Sequence, residues 1–197
     1  MRFRIIRWKP PALTPANQAL ALLALMLAGF FWFPGSTWLQ SDTQIYVPIL
    51  EHLDHPELLR HDLCATRPHV AWTIYDEVTR GLERMTGMGY RAALQGQQMA
   101  FRLAGLAGVF LMAMAAGLPP AGRLFAAAAF GLGAVVNGPS VLTFEYEPVP
   151  RGFALMLLLG ALGAMAQGWR WAGAALLVLA ALYHPTTAPP VWACAAL

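Results

Sequence analysis

The sequence predicts an all-α, polytopic integral membrane bundle, with about five spans and the start of a sixth. Three observations carry this. The 197 residues are 58% hydrophobic and 12% charged, with mean hydropathy +0.52, whereas a soluble domain carries about 25% charged residues. Apolar runs recur along the chain. The charges between them segregate by sign. A single soluble core of this size has no place for so much apolar surface, and a bilayer does.

The elements follow in order. Residues 1–9 hold Arg2, Arg4, Arg7 and Lys9, and an apolar run follows from Ala16 to Phe33. It closes on Phe30, Phe31, Trp32 and Phe33, with Trp38 beyond, as an interfacial aromatic belt does. No small-residue cleavage motif follows, so this is read as an uncleaved first span rather than a removed signal. The basic tail places the N-terminus in the cytoplasm.

Residues 40–97 are expected to form a large outer, periplasmic loop within the single transmembrane domain 1–197. This segment holds Asp42, Glu51, Asp54, Glu57, Asp62, Asp76, Glu77 and Glu83 against five arginines, a net of −3. Ile45, Ile49, Leu50 and Leu53 make one helical face, and Val70, Ile74, Val78 and Leu82 another, both suited to helices on a membrane surface. A second span is expected over Met99–Leu118, with Arg102 snorkelling to the interface. A third, short run covers Leu124–Val136, a fourth Gly152–Ala166, and a fifth Trp171–Tyr183. A run opening near Ala188 is cut off at Leu197, so the chain reads as the N-terminal part of something longer. Arg123 and Arg170 fall in the cytoplasmic turns and every acid falls outside, as the positive-inside rule asks. Gly105, Gly108, Gly131, Gly133, Gly160 and Gly163 suit close helix packing in lipid.

This topology gathers the candidate chemistry at the outer face. Asp42 follows the first span and can serve as a general base or a metal ligand. Ser41 or Asp42 equally suits the N-cap of a helix starting near Thr43, and the two uses are compatible. Glu145 and Glu147, two apart in an extended segment, point to opposite sides. Arg151 opens the next span and can bind a lipid phosphate through its guanidinium fork, or pair with Glu145 or Glu147 as an anchor. His184 ends the fifth span before Pro185. It either complements the helix dipole or faces the outer cavity as a hydrogen-bonding, proton-carrying group. His52, His55, His61, Asp62, Cys64 and His69 show no complete metal spacing, and Cys64 and Cys194 form no motif. No glycine-rich phosphate loop is present, and the acidic loop excludes a nucleic-acid surface.

Together, Ser41-Asp42-Thr43-Gln44-Ile45-Tyr46 opening an acidic outer loop, Glu145-x-Glu147 with Pro150-Arg151, and Tyr183-His184-Pro185 closing a span resemble the polytopic C-type glycosyltransferase (GT-C) superfamily, especially its bacterial members. The resemblance implies transfer of a sugar from a polyprenyl-phosphate donor at the outer face of the inner membrane. It implies Asp42 as the catalytic residue, Arg151 and His184 on the donor phosphate, and Glu145 and Glu147 in support. Where familiar members pair the acid with a second one, Asp42 stands between Ser41 and Thr43, so a divalent cation stays open as a cofactor. The expected partners are membrane lipid and a polyprenyl-phosphate sugar. A transporter or channel, with the short runs as broken helices, is the alternative from a different class. A non-catalytic membrane protein is another.

Overall fold

The computed structural model describes residues 13–66, 72–133 and 144–195. The regular structure among those residues is all α-helical, with no strand. The helices are α1 (Pro15–Phe31), α2 (Thr43–Asp54), α3 (Leu63–Thr66), α4 (Tyr75–Thr86), α5 (Tyr90–Ala115), α6 (Pro120–Gly133), α7 (Pro150–Ala166), α8 (Arg170–Tyr183) and α9 (Pro189–Ala195). The basic tail at residues 1–9, and Val70 and His69 of the expected loop features, lie outside the described residues, as does the end of the expected third run at 134–136.

Among the described residues only α5 is long and apolar enough to cross a membrane; α1, α7 and α8 are apolar over 17, 17 and 14 residues. At 1.5 Å per residue α5 is about 39 Å long. It begins at Tyr90, seven residues before the expected loop boundary at Gln97. Polarity misled there: Tyr90–Gln97 is polar because its side chains serve buried hydrogen bonds. Gln97 donates to the Thr79 hydroxyl (3.0 Å) and accepts from the Tyr183 hydroxyl (2.8 Å). Buried polar groups are tolerated when paired in this way.

The bundle is layered. α5 lies between α7 and α6, α8 covers the far side of α7, and α1 packs on α6 and α5. Small residues set the spacing of α5 and α7, as expected for Gly105, Gly108, Gly160 and Gly163. A β-carbon at Gly163 would stand 2.5 Å from the Cα of Gly108, and one at Gly105 would stand 2.6 Å from the sulfur of Met156.

The two loop helices pack on one end of the bundle, although not on the faces expected. In α2, Ile49 and Leu50 are buried as predicted, but Ile45 turns outward and Val47 turns in. In α4, Tyr75 and Thr79 are buried, while Ile74 and Val78 only edge the core. Tyr75 decides the α4 register. Its ring packs with those of Tyr46 and Phe153, and its hydroxyl donates to the Pro148 carbonyl at 2.8 Å.

Asp54 fastens these helices together. Its carboxylate pairs with Arg80 (2.6 Å) and Arg84 (2.7 Å) and accepts from the Tyr90 hydroxyl. Burial pushes this carboxyl up, but the bonds from Arg80, Tyr90 and Arg84 outweigh it and bring it down from 3.8 to about 2. A folded value below the unfolded one gives stability that is present above about pH 4 and lost as pH falls toward 2. Acid unfolding should therefore be shallower in Asp54→Asn across that window. Identical acid profiles for the two proteins would refute this.

Candidate functional site

α1 ends, α5 and α7 begin, and α8 ends at the same end of the bundle, beneath α2 and α4. Two segments distant in sequence line it: residues 32–43, between α1 and α2, and residues 144–149, leading into α7. Backbone and side-chain bonds join them. Thr37 N–H donates to the Tyr146 carbonyl at 2.8 Å. Gln98 of α5 donates to the Glu145 carbonyl (3.0 Å) and accepts from the Ser36 hydroxyl (2.9 Å).

Arg102 lies beneath both. Sequence reasoning had it snorkelling to an interface; instead it is buried, 2% exposed. Its Nη1 donates to the Gly29 carbonyl (3.1 Å), and its Nη2 to those of Gly35 (2.8 Å) and Glu145 (2.6 Å). The rings of Phe30 and Phe144 flank the guanidinium at 5.5 and 5.6 Å. The last carbonyls of a helix lack intrahelical partners; that of Gly29 takes the Gly35 N–H (2.9 Å) as well as Arg102, and a planar fork with several donors can reach carbonyls from three places at once. A lone arginine in an apolar helix was the signal available in the sequence.

On this base three of the predicted residues, Asp42, Glu145 and Arg151, meet. Arg151, in the first turn of α7, pairs through Nη1 with Asp42 (2.8 Å) and through Nε with Glu145 (2.7 Å). The two acids are 103 residues apart in sequence, and one guanidinium bridges them. Asp42 and Arg151 are partly exposed, whereas Glu145 is nearly covered. Gly152 makes room for Glu145, whose Cβ would sit 2.8 Å from any β-carbon there. Of the two anchor pairings open in the sequence, Glu145 is the one formed.

Glu147 points the other way, as the spacing predicted. It is 3% exposed. Its carboxylate accepts from the backbone N–H groups of Gln40 (2.8 Å), Ser41 (2.9 Å) and Thr43 (3.1 Å). Burial raises its pKa, and these bonds more than reverse that, holding it below the usual carboxylate range. Asp42 stands at the N-cap of α2 but makes no side-chain cap bond, which corrects the capping role weighed for it.

His184 follows α8, partly buried, with Nδ1 2.6 Å from the Thr187 hydroxyl. Burial first, then the charge of Arg151, pushes its imidazole below 6.5, so it is neutral at neutral pH. Tyr46, one turn after Asp42, shares the field of Asp42 and Arg151, and burial raises its hydroxyl pKa. It therefore remains a donor.

The histidine-rich stretch stays apart from this cluster. His52 bonds the Leu58 carbonyl (2.6 Å), His55 lies 3.4 Å from Glu57, and Asp62 caps α3 through the amides of Cys64 and Ala65. Among the described residues no group of three or more His, Cys, Asp or Glu side chains is arranged to hold a metal ion.

The end of the bundle thus presents a half-exposed carboxylate, a guanidinium, a neutral imidazole and a tyrosine. That set can accept a proton, balance the charge of an anion and orient a hydroxyl. No known protein family, curated protein or solved structure matches this chain.

Proposed function

We propose that this chain is a GT-C-like membrane glycosyltransferase of the bacterial inner membrane, with several spans and its N-terminus in the cytoplasm. It transfers a sugar from a polyprenyl-phosphate donor at the outer face. The observation that carries this reading is the joining of Asp42 and Arg151, from separate outer segments, at the end of the bundle where His184 also lies.

A membrane setting is supported by the outward faces of the long helices. Leu20, Leu23 and Leu27 of α1, Phe125 of α6, and Val178 and Leu182 of α8 are exposed. Exposed tryptophans mark both ends: Trp32 and Trp72 at the site end, and Trp169 and Trp171 at the other. Amphipathic rings favour the two interfaces of a bilayer. Arg123 and Arg170 lie at the end away from the acids, which supports the cytoplasmic assignment of that end.

In the proposed reaction Asp42 takes the proton of an acceptor hydroxyl as its oxygen attacks the anomeric carbon. The bond from that carbon to the phosphate oxygen breaks, and polyprenyl phosphate leaves with the electron pair. Arg151 balances the phosphate charge, and His184, neutral, offers a hydrogen bond. A positioned base contributes about 10²–10⁴-fold.

The test uses the full-length protein in lipid nanodiscs with a panel of synthetic polyprenyl-phosphate hexoses, following release of polyprenyl phosphate. The wild type is expected to turn over at least one donor, and Asp42→Asn to lose about a hundredfold or more in kcat. Release by Asp42→Asn at the wild-type rate would overturn the reading.

A further inference from the structure

A carboxylate at a helix start ordinarily turns back onto the first-turn amides. Asp42 holds that position in α2, with φ −62° and ψ −27°, yet its side chain bonds none of them. The amides a capping Asp42 would take, those of Gln44 and Ile45, bond the Ser41 and Asp42 carbonyls (3.0 and 2.9 Å), and Glu147, from the segment leading into α7, holds the amides of Gln40, Ser41 and Thr43. Four residues after Glu147, Arg151 reaches back to Asp42. The two segments thus exchange carboxylates: the acid before α7 holds the start of α2, and the acid before α2 pairs with α7.

We infer that Glu147 is a positioning residue that anchors the backbone on both sides of Asp42, and so holds the Asp42 carboxylate against Arg151. The catalytic meaning of this rests on the glycosyltransfer reading; the positioning itself does not. The two links differ in strength. Glu147 is buried and makes three charge-assisted bonds to rigid backbone, the stronger kind of hydrogen bond. The Asp42–Arg151 pair is a single contact between side chains 31% and 46% exposed, and an exposed pair does not hold two segments in register by itself. Among the remaining links, the Thr37–Tyr146 bond lies five residues before Asp42. In Glu147→Gln the three amides face one neutral acceptor oxygen. The backbone that carries Asp42 is then held less firmly, and its carboxylate comes off Arg151 more often.

Modification of Arg151 by phenylglyoxal, followed site by site by peptide mass spectrometry on the full-length protein in nanodiscs, tests this without reference to activity. Asp42→Asn is expected to raise the rate at Arg151 by about two- to fivefold, the factor an exposed ion pair is worth. Glu147→Gln should raise it similarly, and the double variant no further than Asp42→Asn alone, because both act through one contact. Glu147→Asp keeps the charge but withdraws it by one methylene. It serves where Glu147→Gln does not accumulate, with the same direction expected.

A wild-type labelling rate in the Glu147 variant, or additive effects in the double variant, overturns the inference. On a donor that the wild type consumes, Glu147→Gln should lower kcat by about ten- to a hundredfold with KM within about twofold. An unchanged kcat where Asp42→Asn is inactive also overturns the inference. Full activity of Asp42→Asn removes the glycosyltransfer reading alone, and the labelling still decides the positioning.

Discussion

Arg102→Leu should lower the stability of the protein by about 2–3 kcal/mol, the scale of losing buried hydrogen bonds one of which leaves its acceptor unpaired. The guanidinium serves the carbonyls of Gly29, Gly35 and Glu145; Gly29 also accepts from the Gly35 N–H (2.9 Å) and Glu145 from Gln98, so among the described residues the Gly35 carbonyl is the one of the three with no second donor. A buried acceptor left unpaired costs about 1–3 kcal/mol. Leucine returns some of this by removing a desolvated charge and filling part of the space between Phe30 and Phe144, so the net falls short of the sum. Arg102→Lys should recover only a minor part, because a single ammonium cannot fork to carbonyls on three segments. Reversible unfolding in mixed detergent micelles, followed by circular dichroism, measures both. A melting temperature for Arg102→Leu within 2 °C of wild type would show that the contacts contribute little; a change of about 3 kcal/mol shifts a domain of this size by about 6–12 °C. The variant should also weaken the site, since the Glu145 carbonyl held by Arg102 belongs to the residue whose side chain holds Arg151.

The second large effect is expected at the crossing of α5 and α7. A β-carbon at Gly108 would overlap the Leu159 carbonyl and crowd the Gly160 nitrogen, and these are backbone atoms that cannot step aside. Overpacking costs about 1–3 kcal/mol where side chains can adjust, and more where they cannot. Gly108→Ala should therefore cost about 3 kcal/mol or more, and Gly163→Ala a similar amount. By contrast, Gly96→Ala, in the same helix with open space at its β-position, should be neutral or slightly stabilising, because alanine is the better helix former. The three variants compared in one unfolding assay isolate the crossing. Equal stability of Gly108→Ala and Gly96→Ala would mean that the helices separate at little cost.

Much of this arrangement was legible in the chain. The helical apolar runs became α1, α5, α7 and α8 within a few residues of their expected limits, except for the start of α5. The segregation of charge foretold which end would be acidic. The i, i+2 spacing of Glu145 and Glu147 foretold opposite directions, and one indeed meets Arg151 while the other meets the α2 amides. Histidine 184 sits at its helix end, as its proline neighbour required. Each of these is a local property, set by backbone period or by the chemistry of adjacent residues.

Other features depended on partners far away in sequence. Asp42 reads locally as a cap, yet the amides it would cap bond backbone carbonyls, and its carboxylate turns to Arg151 from 109 residues away. Arg102 reads locally as a snorkelling cation, and it is buried because the end of α1 and the Glu145 segment bring their carbonyls to it. Tyr90–Gln97 reads as loop by polarity, yet it is helix because Thr79 and Tyr183 meet Gln97 in the interior. A polar group carries the same local signature whether water or a buried partner satisfies it. The periodicity of the chain therefore determined its helices and the sign of each end, whereas the pairing of buried polar groups, which decides what Asp42 and Arg151 face, was settled only by packing.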